Sequence, residues 1–346
     1  MKEISITSLH PGLAPRNSEN SALGINGDDF GIHFLWKEPG LGGVDYVIVS
    51  HLLYYNKKIF KQFLFYMHQD VIFIYIAGEC ISPDMNLFDY AIVFDRQLSM
   101  GDRIIRKSTL SYFSASVFEE YRRQVVTSAD INDKTKFCNF MYSNPNAHPM
   151  RDNLFYKISE YKRVDAIGSH LRNTDVKPSR FDTDWRRLSI VARQKYRFSI
   201  ASENACFPGY TSEKLLCCLQ AHTVPIYWGD PTIEEEFNGK AFINVHKFKT
   251  LDDVLEKVRE IDEDESLLLN MLNQPWQTPE QITKTRLQDE NYKQFVASIF
   301  LRDKNDAKRC IGGYHPWKYR EWFENPYGYK IRERIQNLVI KLRQKI

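Results

Sequence analysis

Apolar residues along this chain occur in short, nearly continuous runs, separated by segments in which they recur at helical spacing. A run of four to six apolar residues between turn residues is typical of a strand that is buried on both faces of a parallel sheet. In the first third of the chain such runs predict strands over 45–49, 71–76 and 90–94. Helical spacing predicts a helix over 54–69, between the first two of these strands.

The second half of the chain continues this alternation. The predicted strands cover 197–201, 224–228 and 241–245, and the predicted helices cover 150–162, 212–221 and 251–261. Strands that alternate with helices indicate parallel sheets with covering helices, so the predicted fold class is α/β. A chain of 346 residues is too long for one hydrophobic core, and we therefore expect two such domains.

Composition narrows the class of protein. Apolar residues make up 43% and aromatic residues 14% of the chain, which is ample for burial. The 47 basic residues nearly balance the 44 acidic ones, so nucleic acid is not an expected partner. The six cysteines form no Cys-x-x-Cys pair, and neither a signal peptide nor an apolar run approaching ~18 residues is present. Together these features predict a cytoplasmic location.

Residues 201–216 are the most informative stretch for function. A predicted strand breaks into a turn with a Pro-Gly pair, and a helix restarts behind Thr211 and Ser212, either of which can cap it. The turn brings together four polar side chains, those of Asn204, Tyr210, Glu213 and Lys214. The carboxyl end of a strand beside the amino end of a helix is where α/β proteins bind ligands, and the helix end favours phosphate.

Lys214 distinguishes this turn from the start of an ordinary capped helix. A Glu in the first turn suits the helix dipole, and Ser-Glu alone would indicate nothing more than capping. A cation in the same turn opposes the dipole. We therefore expect an anion close to Lys214 that offsets this cost.

From Glu203-Asn204 to the run Gly209-Tyr210-Thr211-Ser212-Glu213-Lys214, the sequence resembles the α-1,3/4-fucosyltransferases, glycosyltransferase family 10. Other motifs of that family follow in the same order along the chain, at Gly78-Glu79, 86–92, 143–147, Arg151, 221–229, 237–238 and 242–245. The similarity covers roughly residues 70–250 and is close to the bacterial members. Several motifs in one order are far more specific than any single motif.

The resemblance implies a GT-B fold, with two Rossmann-like domains whose parallel sheets face a cleft. We predict an acceptor-binding domain over 1–155, a GDP-fucose-binding domain over 156–315 and a basic amphipathic helix over 316–346. Between Lys330 and Ile346 that tail carries six basic residues and one acidic residue. Such a helix fits an anionic membrane surface, here the inner face, and it equally fits packing back on the first domain. Both interpretations stand.

The function that the resemblance implies is that of an inverting α-1,3-fucosyltransferase. It would move L-fucose from GDP-β-L-fucose to a GlcNAc hydroxyl of an N-acetyllactosamine-type glycan, as in the synthesis of Lewis-type antigens on lipopolysaccharide. Arg172, in Leu171-Arg172-Asn173-Thr174, would contact the diphosphate. The four residues of the turn would surround the sugar and phosphates, with Glu213 stabilising positive charge in the transition state. Glu79 would be the general base.

Three other functions stay open. They are an α-1,4-fucosyltransferase, a GT-B transferase for another nucleotide sugar, and a non-catalytic protein that binds glycans or nucleotides. Glu79, Arg172, Glu213 and Lys214 together weigh against a pure binder, which has no need of a base. No cofactor is expected, because GDP-fucose is a substrate, and a divalent metal is not strictly required. The motif Asp182-Thr183-Asp184 is the alternative that a metal-dependent mechanism would use.

Overall fold

The computed structural model describes residues 1–14, 19–107, 125–175, 185–310 and 314–325, together with residue 334. The chain divides into two compact units. The first unit contains Met1–Val93, Ser99–Ile105 and the described residues between 292 and 325. The second unit contains Phe94–Leu98 and Arg106–Asn291.

The first unit is built on a six-stranded sheet in the order β4-β1-β5-β6-β7-β8, with a small antiparallel pair, β2 and β3, beside it. The neighbours from β4 to β7 in that order are all parallel. These strands are β1 (Lys2–Ser8), β2 (Ser21–Ala22), β3 (Ile25–Asn26), β4 (Ile32–Trp36), β5 (Tyr46–Ser50), β6 (Ile72–Ile76), β7 (Tyr90–Val93) and β8 (Ile104–Arg106).

The second unit is built on a five-stranded sheet in the order β10-β9-β11-β12-β13, and all its pairings are parallel. These strands are β9 (Lys136–Phe140), β10 (Val164–Ala166), β11 (Tyr196–Ser202), β12 (Val224–Trp228) and β13 (Ile243–Asn244). The predicted α/β class with two parallel sheets is confirmed. In a parallel sheet all the loops after the strands emerge along the same edge, which is where the sequence placed its candidate residues.

Ten α-helices accompany the sheets within the described residues. They are α1 (Lys57–Met67), α2 (Ser128–Asn132), α3 (Met150–Ser159), α4 (Trp185–Arg193), α5 (Glu213–Gln220), α6 (Leu251–Glu263), α7 (Glu265–Leu272), α8 (Pro279–Leu301), α9 (Lys304–Ala307) and α10 (Tyr314–Glu324). Helix α1 begins later than the predicted residue 54, because residues 51–54 form a short 3-10 helix and the Asn56 side chain caps α1. None of these helices combines the length and the apolar content needed to cross a membrane.

All six predicted strands are present, but the hydrophobic pattern missed several others, including β1 and β9. In β9 a charged residue opens the strand and Asn139 interrupts the apolar run. Asn139 is nevertheless fully buried, because its amide donates to Phe198 O at 3.1 Å and to Ser199 Oγ at 2.6 Å. A buried polar residue whose amide N–H groups bond to a neighbouring strand cannot be recognised from local hydrophobicity.

The first unit takes one of its core layers from the far end of the sequence. Val296, Ile299 and Phe300 of α8 are buried against the first sheet. The Phe300 ring lies 4.9 Å from the ring of Tyr46 on β5, and the Tyr46 hydroxyl donates to Ile299 O at 3.1 Å. Residues before Tyr292 in the same helix belong to the second unit.

The observed division differs from the predicted boundary at residue 155. Strand β9 pairs with β11, and α3 packs in the same hydrophobic core, so the described residues between 106 and 155 belong to the second unit. Of the predicted tail over 316–346, the structure describes the segment to residue 325, which α10 largely covers, and residue 334. The basic stretch from Lys330 otherwise lies outside the described residues, so its contact with a membrane or with the first domain stays a prediction.

Candidate functional site

The turn between β11 and α5 carries most of the candidate residues, and Gly209 allows it to form. Gly209 has a φ of +87°, a left-handed conformation that residues with a side chain rarely adopt. A Cβ there would lie 2.4 Å from Phe94 O, so the close approach of the two backbones also requires glycine. Tyr210 N donates to Phe207 O at 3.0 Å and closes the turn. The chain then reaches Ser212, the residue before α5.

Glu203, the first residue after β11, is fully buried at the centre of this turn. Its Oε1 accepts from Ser212 N at 2.8 Å, and its Oε2 accepts from Ser212 Oγ at 2.6 Å and from Lys214 Nζ at 3.1 Å. Gly229 makes room for it, because a Cβ on Gly229 would lie 2.4 Å from Glu203 Cγ. The carboxylate therefore holds the start of α5 and the Lys214 ammonium in fixed positions.

Lys214 is a cation held in the first turn of a helix. Its Nζ also donates to Ser212 Oγ at 2.7 Å, and its side chain is 16% exposed. Burial alone would lower the pKa of Lys214, but the carboxylates of Glu203 and Glu213 outweigh it and raise that pKa well above its usual range. The expected anion beside Lys214 is thus present within the protein itself. The Ser212 hydroxyl serves this network and makes no capping bond to the helix, contrary to one of the two predicted capping roles.

Glu213 lies beside this network and is partly open to solvent. Its Oε1 is 3.9 Å from Lys214 Nζ, and its side chain is 34% exposed. Burial would raise the pKa of Glu213, but the Lys214 charge and hydrogen bonds from its own N–H and from Ser212 lower it overall. An ionised carboxylate and a partly buried ammonium therefore stand side by side at the amino end of α5.

Asn204 is fixed by Arg151 of α3. Arg151 is buried, and its Nη2 donates to Asn204 Oδ1 at 2.6 Å and to Ser202 O at 3.1 Å. The guanidinium stacks on the Tyr142 ring, 4.1 Å from the ring centre, where cation–π attraction adds to the hydrogen bonds. Arg151 is one of the residues that match the family pattern, but its role could not be predicted from the sequence. The structure shows that it orients Asn204 and ties the loop after β9 to the turn after β11.

Tyr210 packs into the turn and is only 5% exposed. Its ring meets that of Phe94 edge to face, with the centres 5.2 Å apart. This contact stabilises the turn on a neighbouring segment of the second unit.

Arg172 lies in the loop after β10, where its Nε donates to Gly168 O at 3.0 Å. In the strand order β10-β9-β11, that loop and the turn after β11 emerge at the same edge, about two strand spacings or ~10 Å apart. Gly168 is required there, since a Cβ would lie 1.9 Å from Tyr142 O. Arg172 itself is exposed and lines an open groove with Lys136 and Arg163. None of its hydrogen bonds within the described residues reaches the turn after β11.

Comparison with known proteins decides the family. Residues 131–311, more than half of the chain, match the family described as glycosyltransferase family 10 (fucosyltransferase), C-terminal part. The chain belongs to glycosyltransferase family 10. The resemblance that the motifs indicated is therefore confirmed. One of these motifs is the turn after β11, which the hydrogen bonds of Glu203 stabilise.

Two curated relatives match part of this chain. One is a putative fucosyltransferase, R654, of Acanthamoeba polyphaga mimivirus, which is 32% identical over 66% of this chain and 36% of the relative. The other is the alpha-(1,3)-fucosyltransferase FucT of Helicobacter pylori, 31% identical over 58% of this chain and 46% of the relative. The chain thus spans less than half the length of either relative.

Solved structures support the fold. A crystal structure of an alpha1,3-fucosyltransferase superposes with a TM-score of 0.61 and 21% identity, over 85% of this chain and 90% of that one. A second crystal structure, of alpha1,3-fucosyltransferase with GDP-fucose, gives a TM-score of 0.60 and 22% identity over 85% of this chain and 91% of that one. At this level of identity the likeness establishes the fold of this chain, which has two α/β units that each contain a sheet of parallel strands.

Within this family fold, the structure brings together Asn204, Tyr210, Glu213 and Lys214, as the sequence predicted. The loop that carries Arg172 starts at the same sheet edge, but Arg172 is separate from the turn. Glu79 belongs to the first unit, where it follows β6 and is partly buried. The catalytic and substrate-binding roles of all six residues stay predictions. Glu203 and Arg151 are the residues that sequence reasoning left without a role in this site.

The sequence predicts that a divalent metal is not strictly required, and this stays a prediction. Within the parts of the chain that the structure describes, no group of three or more His, Cys, Asp or Glu side chains is arranged to hold a metal ion. The motif Asp182-Thr183-Asp184 lies outside the described residues.

Proposed function

We propose that this protein is an inverting α-1,3-fucosyltransferase that moves L-fucose from GDP-β-L-fucose to a GlcNAc hydroxyl of an N-acetyllactosamine-type glycan. The observation that carries the proposal is the network of Glu203, Ser212 and Lys214. It holds a cation at the amino end of α5, beside the ionised Glu213, in a member of a fucosyltransferase family. Transfer from GDP-fucose needs both charges, because negative charge develops on the departing GDP and positive charge develops on the sugar.

The donor is assigned to the second unit. Lys214 and the start of α5 would neutralise the charge that develops on the departing GDP, because preorganised cations and helix dipoles act where charge forms in the transition state. Arg172, exposed in the loop after β10, suits a diphosphate through its planar fork of N–H donors. Asn204, held by Arg151, would contact the fucose with Tyr210, and the Glu213 carboxylate would stabilise positive charge at the anomeric carbon.

The acceptor is assigned to the first unit, next to Glu79. The Glu79 carboxylate would take the proton of the GlcNAc hydroxyl while that oxygen forms its bond to the anomeric carbon of fucose. The bond between that carbon and the GDP oxygen breaks in the same displacement, and GDP leaves with the bonding electrons. Attack opposite the β-linked leaving group gives an α-fucoside.

The test is incubation of the full chain with GDP-fucose and a panel of lactosamine-type acceptors, with the linkage of the product read by NMR. We expect an α-1,3-fucosylated GlcNAc. An α-1,4 product would correct the linkage only. Calorimetry with GDP, UDP and ADP addresses the donor, and tight binding of a nucleotide other than GDP without transfer from GDP-fucose would contradict the proposal.

Replacing Arg172 by Ala is expected to weaken GDP and GDP-fucose binding by on the order of 1.5–3 kcal/mol, because a charge-assisted contact to phosphate is lost. That is roughly a tenfold to 150-fold rise in Kd, measured by calorimetry. Lys214→Ala should show a similar loss, together with lower thermal stability, since it leaves the buried Glu203 without its cation. Arg259→Ala and Lys257→Ala, on the exposed side of α6, are matched controls. If both site variants bind GDP as the wild type does, the donor site is misplaced.

Excess EDTA is expected to leave most of the transfer activity in place. The proposed mechanism places the phosphates on Arg172, Lys214 and a helix terminus, and none of these interactions needs a bridging metal. Initial rates with and without EDTA, followed by re-addition of Mg²⁺ or Mn²⁺, measure this. Complete loss that a metal restores would make Asp182-Thr183-Asp184 the leading candidate for a donor-phosphate site.

A further inference from the structure

Three neighbouring strands of the first unit end next to polar or aromatic side chains. Strands β1, β5 and β6 are adjacent in the sheet. His10 follows β1, His51 directly follows β5, and the Gly78-Glu79 pair follows β6. Because parallel strands lie about 4.8 Å apart, these three loops emerge side by side at the carboxyl edge of the sheet.

The contacts confirm that these loops meet. The rings of His10 and His51 have their centres 6.5 Å apart. A Cβ on Gly78 would lie 2.8 Å from His51 Cε1 and 2.9 Å from its Nδ1, so the His51 ring rests directly on the Gly78 backbone. The charge of Glu79 acts on the same ring, where it partly opposes the effect of burial on the pKa of His51. His51 therefore stands between His10 and the proposed base.

The lowered pKa of His10 and of His51 favours the neutral form of each ring, and a neutral ring carries a single N–H donor. Burial lowers the pKa of each ring, and for His10 the neighbouring His51 lowers it further. His10 Nδ1 accepts from Gly12 N at 3.1 Å, which places its proton on Nε2. His51 Nδ1 is closed off from solvent and has no hydrogen-bond partner among the described residues. Placing the proton on Nε2 avoids burying an unpaired N–H there, since unpaired buried donors are costly.

An exposed aromatic surface adjoins the two histidines. The Tyr55 side chain is 71% exposed, and its ring centre lies 6.4 Å from that of His51, nearly perpendicular to it. Tyr54, the last residue of the 3-10 helix that His51 begins, is 41% exposed. A large aromatic face left open to solvent beside two N–H donors and a carboxylate matches the chemistry of a pyranose, which has an apolar C–H face and a rim of hydroxyl groups.

We propose that His10, His51 and Tyr55 form the acceptor subsite around Glu79, and that it binds a neutral pyranose. The Nε2–H groups of the two histidines donate to sugar oxygens, and the ring of Tyr55 covers the C–H face. This arrangement holds a hydroxyl of the sugar toward the Glu79 carboxylate. The proposal rests on the proposed function for the role of Glu79, and it adds the residues that select and orient the acceptor.

The kinetic test varies N-acetyllactosamine at saturating GDP-fucose. His51→Ala and His10→Ala are each expected to raise the acceptor KM roughly threefold to tenfold, the effect of one lost neutral hydrogen bond. The KM for GDP-fucose and the thermal stabilisation by GDP should not change. Tyr55→Ala should raise the acceptor KM, while Tyr55→Phe, which keeps the ring, should not. His68→Ala is the matched control, because His68 lies at the end of α1 and reaches Glu324 in the same unit.

A double-mutant cycle distinguishes an effect through the contact between His51 and Gly78 from a general disturbance of the structure. Gly78→Ala is expected to displace the His51 ring and raise the acceptor KM in the wild-type background. With His51→Ala the clashing ring is gone, so the same Gly78→Ala change should add little. Equal effects of Gly78→Ala in both backgrounds would mean that His51 does not act through this contact.

The outcomes distinguish this inference from the proposed function. Transfer with an unchanged acceptor KM in the His10, His51 and Tyr55 variants would overturn the subsite and leave the fucosyltransferase intact. If the wild type transfers no fucose to any acceptor, the proposed function fails, and saturation-transfer NMR with N-acetyllactosamine then decides the subsite. Binding that His51→Ala abolishes would support it, and absent or unchanged binding would overturn it.

Discussion

Glu79→Gln is expected to reduce fucose transfer about 10²–10⁴-fold, the usual cost of removing a general base, and to leave GDP binding unchanged. Glutamine has nearly the same shape as glutamate but cannot take the proton of the acceptor hydroxyl. The backbone of residue 79, whose carbonyl accepts from Ile81 N at 2.7 Å, keeps its role in the loop after β6. The side chain belongs to the first unit, whereas the proposed donor residues belong to the second.

The measurement pairs turnover with the thermal shift produced by GDP. Equal shifts in wild type and variant, together with lost turnover, support the assignment. Glu3→Gln, an exposed change on β1 of the same unit, controls for the loss of one negative charge. A Glu79→Gln enzyme that keeps more than about a tenth of its rate would place the base elsewhere. Glu213 would then be tested first, because Glu203 is fully buried and already accepts three hydrogen bonds.

Glu203→Gln is expected to destabilise the second unit and to weaken GDP binding. Removing one partner of a buried ion pair costs about 3–5 kcal/mol, and the lower end applies here because Glu213 still faces Lys214 at 3.9 Å. A loss of ~3 kcal/mol corresponds to a fall in Tm of roughly 6–12 °C for a unit of this size. The affinity for GDP should fall as well, because Lys214 loses the contact that fixes its position.

Calorimetric melting and GDP titration of the same samples measure both effects. If the cost arises from the unpaired Lys214 ammonium, Glu203→Gln should cost much less in a Lys214→Met background, where no charge is left behind. Glu256→Gln, at an exposed ion pair of α6, should change Tm little. An unchanged Tm together with wild-type affinity for GDP would mean that the network neither stabilises the turn nor positions Lys214.

Local sequence patterns predicted the features that local forces determine. Strands such as β6 and β12 are apolar along their length because both faces are buried, and their positions could be read directly. The candidate residues of the turn after β11 are close in sequence, so their proximity followed from one strand and one helix. The full burial of Glu203 could not be read in this way, because it depends on Gly229 after the neighbouring strand.

Tertiary arrangement explains the other omissions. Arg151 acquires its role only when α3 packs beside β11 and sets the guanidinium on the Tyr142 ring. His10 and His51 meet because β1 and β5 are neighbours in the sheet, although they are distant in the chain. The division between the units was also predicted in a different place, because strand pairing assigns β9 to the second sheet.

The layer that α8 contributes to the first unit bears on how the chain is made. The ribosome adds about 250 residues after Tyr46 before Ile299 and Phe300 can cover the Tyr46 side of the first sheet. At 5–20 residues per second this takes roughly 13–50 s. The second unit, complete at Asn291, has all its strands available before the first unit has its last core layer. We therefore expect the second unit to fold before the first. Until then the first sheet would expose an apolar face to which chaperones can bind.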